Sequence, residues 1–320
     1  MRSAVRAFTA GCELNILLTG AAGQLGSELI PLLSDRGNLT ATDRNKPVSV
    51  VKNWLELDIS NDSRLEKLLD SIQPGLIVNA AAYTAVDLAE TDVETAFKVN
   101  AELPLLLASW AKRNDARLIH YSTDYVFDGT ATRPYLETDP PNPKNVYGDS
   151  KLAGERALDE SGCKHAILRT SWVYSSHGKN FVLSMLDLAQ KGLSLKVVDD
   201  QQACPTSAGS LALATDAVIA HWQETGSENG SGIFHYCDDR NLSWYDFARM
   251  IFSHSVSAGL LERIPDLTPV PSSEFPQVAE RPKWSVLDTD RINSVFNIRP
   301  ASFEESLRAV IDQIKTRAKK

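Results

Sequence analysis

The chain has no long apolar run. No stretch of it approaches the roughly 18–20 consecutive apolar residues that a helix needs to cross a bilayer. Residues 1–13 include Arg2 and Arg6 but lack the apolar core of a secretory signal peptide. We therefore expect residues 1–13 to be a flexible extension, and the protein to be cytoplasmic and to have no membrane partner.

Cysteine is scarce and histidine is scattered. The four cysteines lie far apart in the sequence, and neither they nor the six histidines show the spacing of a metal site. The cysteines are Cys12, Cys163, Cys204 and Cys237. In a chain of this size, this distribution indicates ordinary thiols in a reducing compartment and not a disulfide framework.

An excess of positive charge is also lacking. Lys and Arg total 33 against 41 Asp and Glu, which gives a net charge of −8. A nucleic-acid-binding surface normally carries a basic patch, so this balance argues against nucleic acid as a partner. With 320 residues and 43% hydrophobic content, the chain can bury the core of one large domain or two coupled domains.

A glycine turn lies near the start of the chain, between a predicted strand and a predicted helix. The apolar run 14–19 precedes Gly20, Gly23 and Gly26, and a helical pattern of leucines follows. In this setting glycines let the backbone approach a pyrophosphate, and the helix N-terminus offers unpaired N–H groups. We predict that Gly20, Gly23, Gln24, Leu25 and Gly26 bind a dinucleotide. The spacing G-x-x-G-x-x-G differs from the usual G-x-G-x-x-G, so a turn that serves only packing is the alternative.

Asp43 and Arg44 end the next predicted strand and bear on the choice of cofactor. A carboxylate about 20 residues after the glycines can accept a hydrogen bond from the ribose 2′-hydroxyl of NAD. An arginine in this region can instead bind the 2′-phosphate of NADP. Because both residue types are present, the sequence leaves NADPH and NADH open.

Tyr147 and Lys151 stand four residues apart at the head of a helical pattern. Residues i and i+4 share one face of a helix, so the phenol and the ammonium are expected to point into the same space. A nearby cation favours the phenolate and lowers the pKa of the phenol, which makes a weak phenol usable for acid–base catalysis. The alternative is an ordinary solvated helix face.

The order of the predicted elements indicates an α/β fold. Strand-like and helix-like patterns alternate from residue 14 to about residue 170, which predicts a Rossmann-like, doubly wound parallel sheet. We assign 14–170 to a dinucleotide-binding domain with the catalytic residues, and 171–320 mainly to a smaller, mixed α/β substrate-binding portion. In this second part we predict helices at 180–190, 206–224, 243–257 and 303–317, while 165–169 and 232–236 are candidates to join the main sheet.

Further motifs occur in a fixed order along the chain. They are the glycine turn, Asn-Ala-Ala-Ala-Tyr at 79–83, Asn100, Ser-Thr-Asp-Tyr-Val-Phe-Asp-Gly at 122–129, Tyr147 with Lys151, and Arg-Thr-Ser-Trp-Val-Tyr at 169–174. In this order they resemble the extended short-chain dehydrogenase/reductases and, within them, the dTDP-4-dehydrorhamnose reductase family. The resemblance covers nearly the whole chain.

The resemblance implies reduction of the C4 ketone of a nucleotide-linked 6-deoxyhexose by NADPH or NADH. Tyr147 is then the proton donor, Lys151 holds the nicotinamide ribose, and Thr123 hydrogen-bonds the carbonyl oxygen. Such donors must already be aimed at that oxygen, because hydride transfer leaves charge on it. The alternative for Thr123 is an ordinary strand-end hydroxyl that caps a turn.

Other cofactor contacts follow from the resemblance alone. It places Asp58 and Ile59 at the adenine, Ala81, Ala82, Tyr83 and Tyr121 along the dinucleotide cleft, and Asn100 near the catalytic lysine. Asp58 has a competing interpretation as the N-cap of the following helix, which is the commoner role for such an aspartate.

The expected substrate contacts also come from the resemblance. They are Thr123, Asp124, Tyr125, Trp172 and Arg281, with Arg281 and Lys283 as partners for the pyrophosphate of the nucleotide sugar. Related dehydratases carry Asp-Glu where this chain has Asp124 and Tyr125, and the missing glutamate favours reduction over elimination of water. The alternatives are ordinary buried aromatic rings and solvated surface charges.

Some similar reductases bind Mg²⁺ through glutamates near a dimer contact, and Glu28 and Glu304 fall where two of these acids are expected. This chain has Gly209 in place of a further glutamate, which weakens a small carboxylate site. We therefore predict no required metal and leave a residual site at Glu28 and Glu304, and a homodimer, open.

Two other functions remain possible at the level of sequence. One is another nucleotide-sugar enzyme of the same superfamily, an epimerase or a dehydratase. The other is a non-catalytic, NADP-binding regulatory subunit, which the joint presence of Thr123, Tyr147 and Lys151 disfavours.

Overall fold

The computed structural model describes residues 14–47, 51–59, 62–226, 230–275 and 277–318. The extension expected at residues 1–13 lies outside these ranges. Within them, no helix is both long and apolar enough to cross a membrane.

A central sheet of seven parallel strands organises the described part of the chain. The strands are β1 (Asn15–Thr19), β2 (Asn38–Asp43), β3 (Asn53–Glu56), β4 (Leu76–Asn79), β5 (Arg117–Thr123), β6 (Lys164–Thr170), β7 (Val173–Tyr174), β8 (Leu195–Val198), β9 (Gln202–Ala203), β10 (Thr206–Ser207), β11 (Gly232–His235), β12 (Leu242–Ser243) and β13 (Leu267–Val270). The central sheet has the order β3-β2-β1-β4-β5-β6-β11, and the remaining strands form three two-stranded pairs. This order is the doubly wound arrangement, with a seventh strand added at the β6 edge, and it confirms the predicted fold class.

Helices cover both faces of this sheet. They are α1 (Gln24–Arg36), α2 (Asp62–Ile72), α3 (Val86–Ala89), α4 (Val93–Phe97), α5 (Leu103–Arg113), α6 (Val146–Ser161), α7 (Phe181–Gln190), α8 (Ala208–Thr225), α9 (Trp244–Ser257), α10 (Asp290–Phe296) and α11 (Phe303–Ala318). A π-helical turn, Lys98–Glu102, joins α4 to α5. The four helices predicted in the second half of the sequence are present as α7, α8, α9 and α11.

The two faces of the sheet have separate cores. Ile16 and Leu18 of β1 pack with α1 and α8, whereas Leu17 between them packs with α2 and α5. Successive side chains of a strand point to opposite faces, so a strand buried on both sides is mainly apolar. This requirement explains the continuous apolar run from which β1 is predicted.

The second half of the chain contributes to the main sheet and also has a core of its own. Strand β11 pairs with β6, and α8 and α10 pack on the same face as α1. A third core lies among α7, α9 and α11, around Phe247, Phe252 and Phe303. Strands and helices from beyond residue 170 thus complete the main sheet and one of its helical faces. The domain boundary near residue 170 remains a prediction.

Local capping explains where three of the helices begin. The side chains of Asn180, Ser207 and Ser243 each accept a backbone N–H bond from the first turn of α7, α8 and α9, respectively. Such N-caps stabilise a helix by about 1 kcal/mol. The helix predicted from residue 206 therefore begins only after its cap, because Thr206 and Ser207 form β10.

Candidate active site

The glycine turn connects the carboxyl end of β1 to the start of α1, as predicted. Gly20 has a φ of +71°, and a Cβ at this residue would lie 2.5 Å from the backbone of Ala80 and Ala81. A Cβ at Gly26 would lie 2.1 Å from the carbonyl oxygen of Gly20. Both positions therefore exclude a side chain, and the turn can lie against β4 and β1 only because glycine is present.

The N-terminus of α1 has the features of a pyrophosphate site. Its N-cap is Gly23, which supplies no capping side chain, and its first turn contains no acidic residue. The first N–H groups of such a helix and its dipole favour an anion. A bare helix N-terminus beneath a turn that admits no side chain fits the diphosphate of a dinucleotide.

Gln24 links the glycine turn to the second half of the chain. Its Oε1 accepts hydrogen bonds from Ser175 Oγ and from Asn180 Nδ2, each at 2.9 Å. Its carbonyl oxygen lies 3.2 Å from His177 Nε2. Segment 175–180 is thereby held against the predicted cofactor turn, a long-range contact that the sequence pattern does not indicate.

Asp43 ends β2 beside the same turn. Its carboxylate accepts hydrogen bonds from the backbone N–H of Ala22, at 3.1 Å, and of Asn45, at 3.2 Å. Arg44 is exposed next to it. The structure thus brings both cofactor-discriminating residues to the carboxyl edge of the sheet.

Helix α6 carries Tyr147 and Lys151, and Asn145 fixes where it starts. Asn145 Oδ1 accepts a hydrogen bond from Gly148 N–H at 2.8 Å, and its Nδ2 donates to the carbonyl oxygen of Glu280 at 2.7 Å. Asn145 therefore caps helix α6 and also anchors a distant segment. Our sequence prediction did not include Asn145, although an asparagine just before a helical pattern is a capping signal.

The Tyr147 hydroxyl is hydrogen-bonded to the side chain of Thr123. Burial of the phenol raises the pKa of Tyr147 to about 12, while the Thr123 hydrogen bond opposes this rise. This rise is opposite in direction to the expected effect of Lys151 on the phenol. The cost of burying a phenolate dominates, and the Lys151 ammonium is directed towards another group.

Thr123 is the last residue of β5. Its hydroxyl donates to Asp124 Oδ1 at 3.0 Å and accepts from the backbone N–H of Tyr125 at 3.2 Å. Asp124 is buried and also accepts a hydrogen bond from Ser285 Oγ. Burial raises the pKa of Asp124 to about 7, against the effect of its hydrogen bonds to Ser285 and Thr123.

Lys151 lies below Tyr147 on the same helix and is buried. Its Nζ is 3.3 Å from Nε2 of His120, a β5 residue that our sequence prediction did not include. Burial lowers the pKa of Lys151 to about 8. No local pattern signals this contact, because the two residues come from different elements.

Asn100 lies in the π-helical turn and faces the same region. Its Oδ1 accepts from Tyr83 N–H at 2.9 Å, and its Nδ2 donates to the Tyr83 carbonyl oxygen and to Ser150 Oγ, both at 3.0 Å. Asn100 therefore ties the loop after β4 to helix α6. π-Helical turns are often found at functional sites because they displace one residue from the regular helix face.

Tyr125 and Arg281 lie together beside Tyr147, the predicted proton donor. The rings of Tyr125 and Tyr147 meet edge to face, with centroids 5.9 Å apart. Arg281 contacts the Tyr125 phenol and forms an ion pair with Asp87, with Nη2 2.7 Å from Oδ2. Lys283, in contrast, is largely exposed. Of the two cations predicted to meet a pyrophosphate, only Arg281 is built into this cluster.

Trp172 lies two residues beyond the end of β6 and has a φ of +46°. Its ring stacks on that of Trp244, with centroids 3.4 Å apart. A positive φ is unusual for a bulky residue and is retained only where the surroundings impose it. The stacked pair presents flat apolar surface near the carboxyl edge of the sheet.

The remaining predicted cofactor residues lie in different surroundings. Tyr121 is buried in the core, where its hydroxyl is 2.8 Å from Thr215 Oγ1, and burial raises its pKa. Ala81 and Ala82 follow β4 directly, and Asp58 and Ile59 follow β3. Their cofactor contacts, like every site assignment made from the sequence, stay predictions.

The two acidic residues considered for Mg²⁺, Glu28 and Glu304, have different neighbours. Glu304 lies 3.6 Å from Arg240 and 3.7 Å from His254, whereas the neighbouring Glu305 lines a surface groove with Glu28 and Gly209. Across the described ranges, no group of three or more His, Cys, Asp or Glu side chains could hold a metal ion.

The glycine turn of a doubly wound sheet and a tyrosine–lysine pair at its carboxyl edge are the features of the extended short-chain dehydrogenase/reductase class. A family model described as "RmlD substrate binding domain" matches residues 14–316. The chain therefore belongs to this family.

Similar proteins agree with this membership. The chain is 40% identical over 295 residues to the dTDP-4-dehydrorhamnose reductase of Aggregatibacter actinomycetemcomitans, which covers 92% of this chain and 97% of that protein. It is 39% identical over 303 residues to the enzyme of the same name from Escherichia coli (strain K12), covering 95% and 99%. A crystal structure of dTDP-4-dehydrorhamnose reductase from Bacillus anthracis str. Ames in complex with NADP aligns with a TM-score of 0.83 and 32% identity, over 94% of this chain and 100% of that chain.

Proposed function

We propose that this chain reduces the C4 ketone of dTDP-4-dehydro-L-rhamnose to the alcohol of dTDP-L-rhamnose, with NADPH or NADH as reductant. The observation that carries the proposal is the contact of Tyr147 with Thr123 at the carboxyl end of β5, on the same edge of the sheet at which the glycine turn follows β1. The named relatives, similar over nearly their whole length, support the choice of substrate.

The reduced cofactor supplies the hydride when it is bound. The bare N-terminus of α1 and the glycine turn hold its diphosphate, and Asp43 and Arg44 lie where the adenosine ribose is expected. The similar Bacillus anthracis enzyme was solved with NADP, which favours NADPH here.

Tyr147 is the proton donor to the oxygen on C4. A phenol with a pKa of about 12 keeps its proton at neutral pH, so Tyr147 is already protonated when the ketone binds. When hydride reaches C4, the carbonyl π bond breaks and its electron pair moves to oxygen, which takes the Tyr147 proton. The developing alkoxide is a strong base, so a weakly acidic phenol suffices as donor.

Thr123 orients that phenol through their shared hydrogen bond. A hydroxyl group has one proton to donate, and Thr123 gives it to Asp124. If Asp124 is protonated, it can donate to Thr123 instead and release the threonine proton for the substrate oxygen. With a pKa of about 7, Asp124 exchanges this proton near neutrality.

The substrate lies against the second half of the chain. Arg281, held by Asp87, offers a guanidinium to the diphosphate, and the face of Trp172 offers apolar contact to the sugar or base. The position after Asp124 holds Tyr125 instead of the glutamate of related dehydratases, which supports reduction without loss of water. The cytoplasmic location and a homodimer remain predictions.

The test is turnover of dTDP-4-dehydro-L-rhamnose by the purified chain with NADPH or NADH, followed by NMR identification of the sugar product. The proposal requires cofactor oxidation in step with formation of dTDP-L-rhamnose. A chain that consumes neither cofactor, or one that interconverts nucleotide sugars without net oxidation as an epimerase does, contradicts it.

A further inference from the structure

A row of buried polar side chains runs across the sheet to the catalytic lysine. Thr19 Oγ1 donates to Asn79 Oδ1 at 2.7 Å, Asn79 Nδ2 lies 3.0 Å from His120 Nδ1, and His120 Nε2 is 3.3 Å from Lys151 Nζ. All four residues are at most 2% exposed. Buried polar atoms are costly unless each finds a partner, so the row is a built arrangement.

We propose that His120 is a positioning residue for Lys151, accepting one N–H of the ammonium at Nε2 while Asn79 fixes the ring tautomer. The proposal rests on the proposed function only in that Lys151 must meet the nicotinamide ribose and Tyr147. An ammonium has three donors and no acceptor. With one N–H directed to His120, the other two are aimed out of the core towards the cofactor and the tyrosine.

The environment of Lys151 leaves His120 as its acceptor. Among the described residues, Nζ has no carboxylate partner within 4 Å. The nearby acid Glu155 is held by Arg169, with Oε1 2.8 Å from Nε and Oε2 2.6 Å from Nη2. A buried ammonium without an ion-pair partner depends on neutral acceptors for its orientation. In this arrangement a neutral histidine accepts the hydrogen bond that an anion would otherwise accept. The positive charge of Lys151 is therefore not neutralised and remains available to the cofactor.

Proton positions along the row follow from this role. A neutral imidazole has one donor and one acceptor, so a ring that accepts at Nε2 carries its proton on Nδ1. That N–H then points at Asn79, so the proposal requires the Asn79 amide to be turned by 180° from its orientation in the structure, with its oxygen towards the ring and its nitrogen towards Thr19 Oγ1. The opposite amide orientation, with Nδ2 towards the ring, requires Nε2–H, which only a neutral Lys151 could accept. His120 is expected to stay neutral, because burial and the Lys151 charge lower its pKa well below the usual value.

The direct test is the tautomer of His120, read from 15N-histidine NMR of the intact chain at pH 7 without cofactor or sugar. The proposal expects a neutral ring protonated at Nδ1. In the Lys151→Met variant, which removes the ammonium, the preference for this tautomer should be lost. An Nε2–H ring or a charged ring in the wild-type chain overturns the proposal.

A pair of substitutions separates positioning from structural support. His120→Gln keeps an acceptor near the position of Nε2, whereas His120→Asn is too short to reach Lys151. We expect His120→Asn to weaken NADPH binding roughly tenfold, the size expected for one hydrogen bond to a charged group, and His120→Gln to restore most of it. Thermal unfolding of both variants shows whether their folds are equally affected.

The matched control is His165, a buried histidine on the neighbouring strand β6 that lies 3.0 Å from Asp159. His165→Gln and His165→Asn remove a histidine of similar burial without touching the row, and both should leave NADPH affinity unchanged. Equal NADPH affinities for His120→Gln and His120→Asn, at matched stability, refute the positioning role. Failure to turn over the sugar contradicts the proposed function, but not this inference, because neither readout contains the sugar.

Discussion

Two side chains at the site have pKa values displaced towards neutrality. One is assigned to cofactor binding and the other to proton exchange with Thr123. Lys151 is lowered to about 8 and Asp124 is raised to about 7, both chiefly by burial. Burial disfavours the charged form of either group, which explains the opposite directions. Near pH 7 most Lys151 is still cationic, while Asp124 is divided between its two forms.

The depressed Lys151 pKa predicts a pH dependence of cofactor binding. The protonated lysine is the binding form, so affinity should be constant well below pH 8 and decrease as pH rises through that value. Above it, the NADPH dissociation constant should increase by up to about tenfold per pH unit. Fluorescence titrations of NADPH between pH 6 and 9.5 measure this directly. The Lys151→Met variant should bind more weakly and without the step, and an equal step in that variant would rule out Lys151 as its source.

Contacts between α6 and the π-helical turn hold the catalytic face of the site. Gly154 lies where a Cβ would come within 2.1 Å of the Asn100 carbonyl oxygen, so α6 can approach this turn only at a glycine. Asn100 in turn holds Tyr83 and Ser150. The packing of these two elements therefore positions several site residues together.

This packing predicts opposite outcomes for two helical glycines. Gly154→Ala should destabilise the chain by about 1–3 kcal/mol or more, because the added methyl group meets backbone that cannot move aside. Gly209→Ala, where the nearest atoms lie 3.9 Å away, should be neutral or stabilise by up to about 1 kcal/mol. Urea unfolding of both variants gives the comparison, and similar losses in the two would remove the steric explanation.

Much of the element pattern can be predicted from sequence because it depends on local signals. An apolar run predicts β1, and the helix patterns at 180–190 and 243–257 match α7 and α9 within one residue. The Tyr147–Lys151 spacing likewise places both residues on one turn of α6. His120 could not be found in this way, since its partner lies 31 residues away on another element. The effect of burial on Tyr147 also depends on the assembled fold, which is why the sequence did not predict that the pKa of this phenol is raised.

At the scale of the whole molecule, the segment around Arg281 joins the two halves of the chain at the site. Asp87 accepts a hydrogen bond from Ala279 N–H at 3.1 Å and pairs with Arg281, 194 residues away in sequence. Asn145 holds Glu280, and Ser285 holds Asp124. The substrate side and the catalytic side are therefore connected by several independent hydrogen bonds. Such separations leave no periodic signal, so the sequence predicts Arg281 by resemblance but not its partner.

Asp87→Asn should therefore impair substrate binding more than cofactor binding. Loss of the carboxylate charge frees Arg281 from its fixed position beside Tyr125, and we expect KM for the sugar nucleotide to rise about tenfold. The NADPH dissociation constant should change little. Asp187→Asn, which removes an exposed i,i+4 pair with Lys191 away from the site, is the control and should alter neither constant. A larger change in NADPH affinity than in KM would contradict the role of this link.

The most direct measurement of the central claim follows a labelled hydride in single turnover. NADPH deuterated at the transferable position of its nicotinamide ring is mixed with dTDP-4-dehydro-L-rhamnose and excess protein, and NMR locates the deuterium. We expect deuterium at C4 of the rhamnose product in the wild-type chain, and a rate lower by about 10²–10⁴-fold in Tyr147→Phe with NADPH affinity retained. Deuterium that never reaches C4, or a Tyr147→Phe rate equal to that of the wild type, would contradict the account.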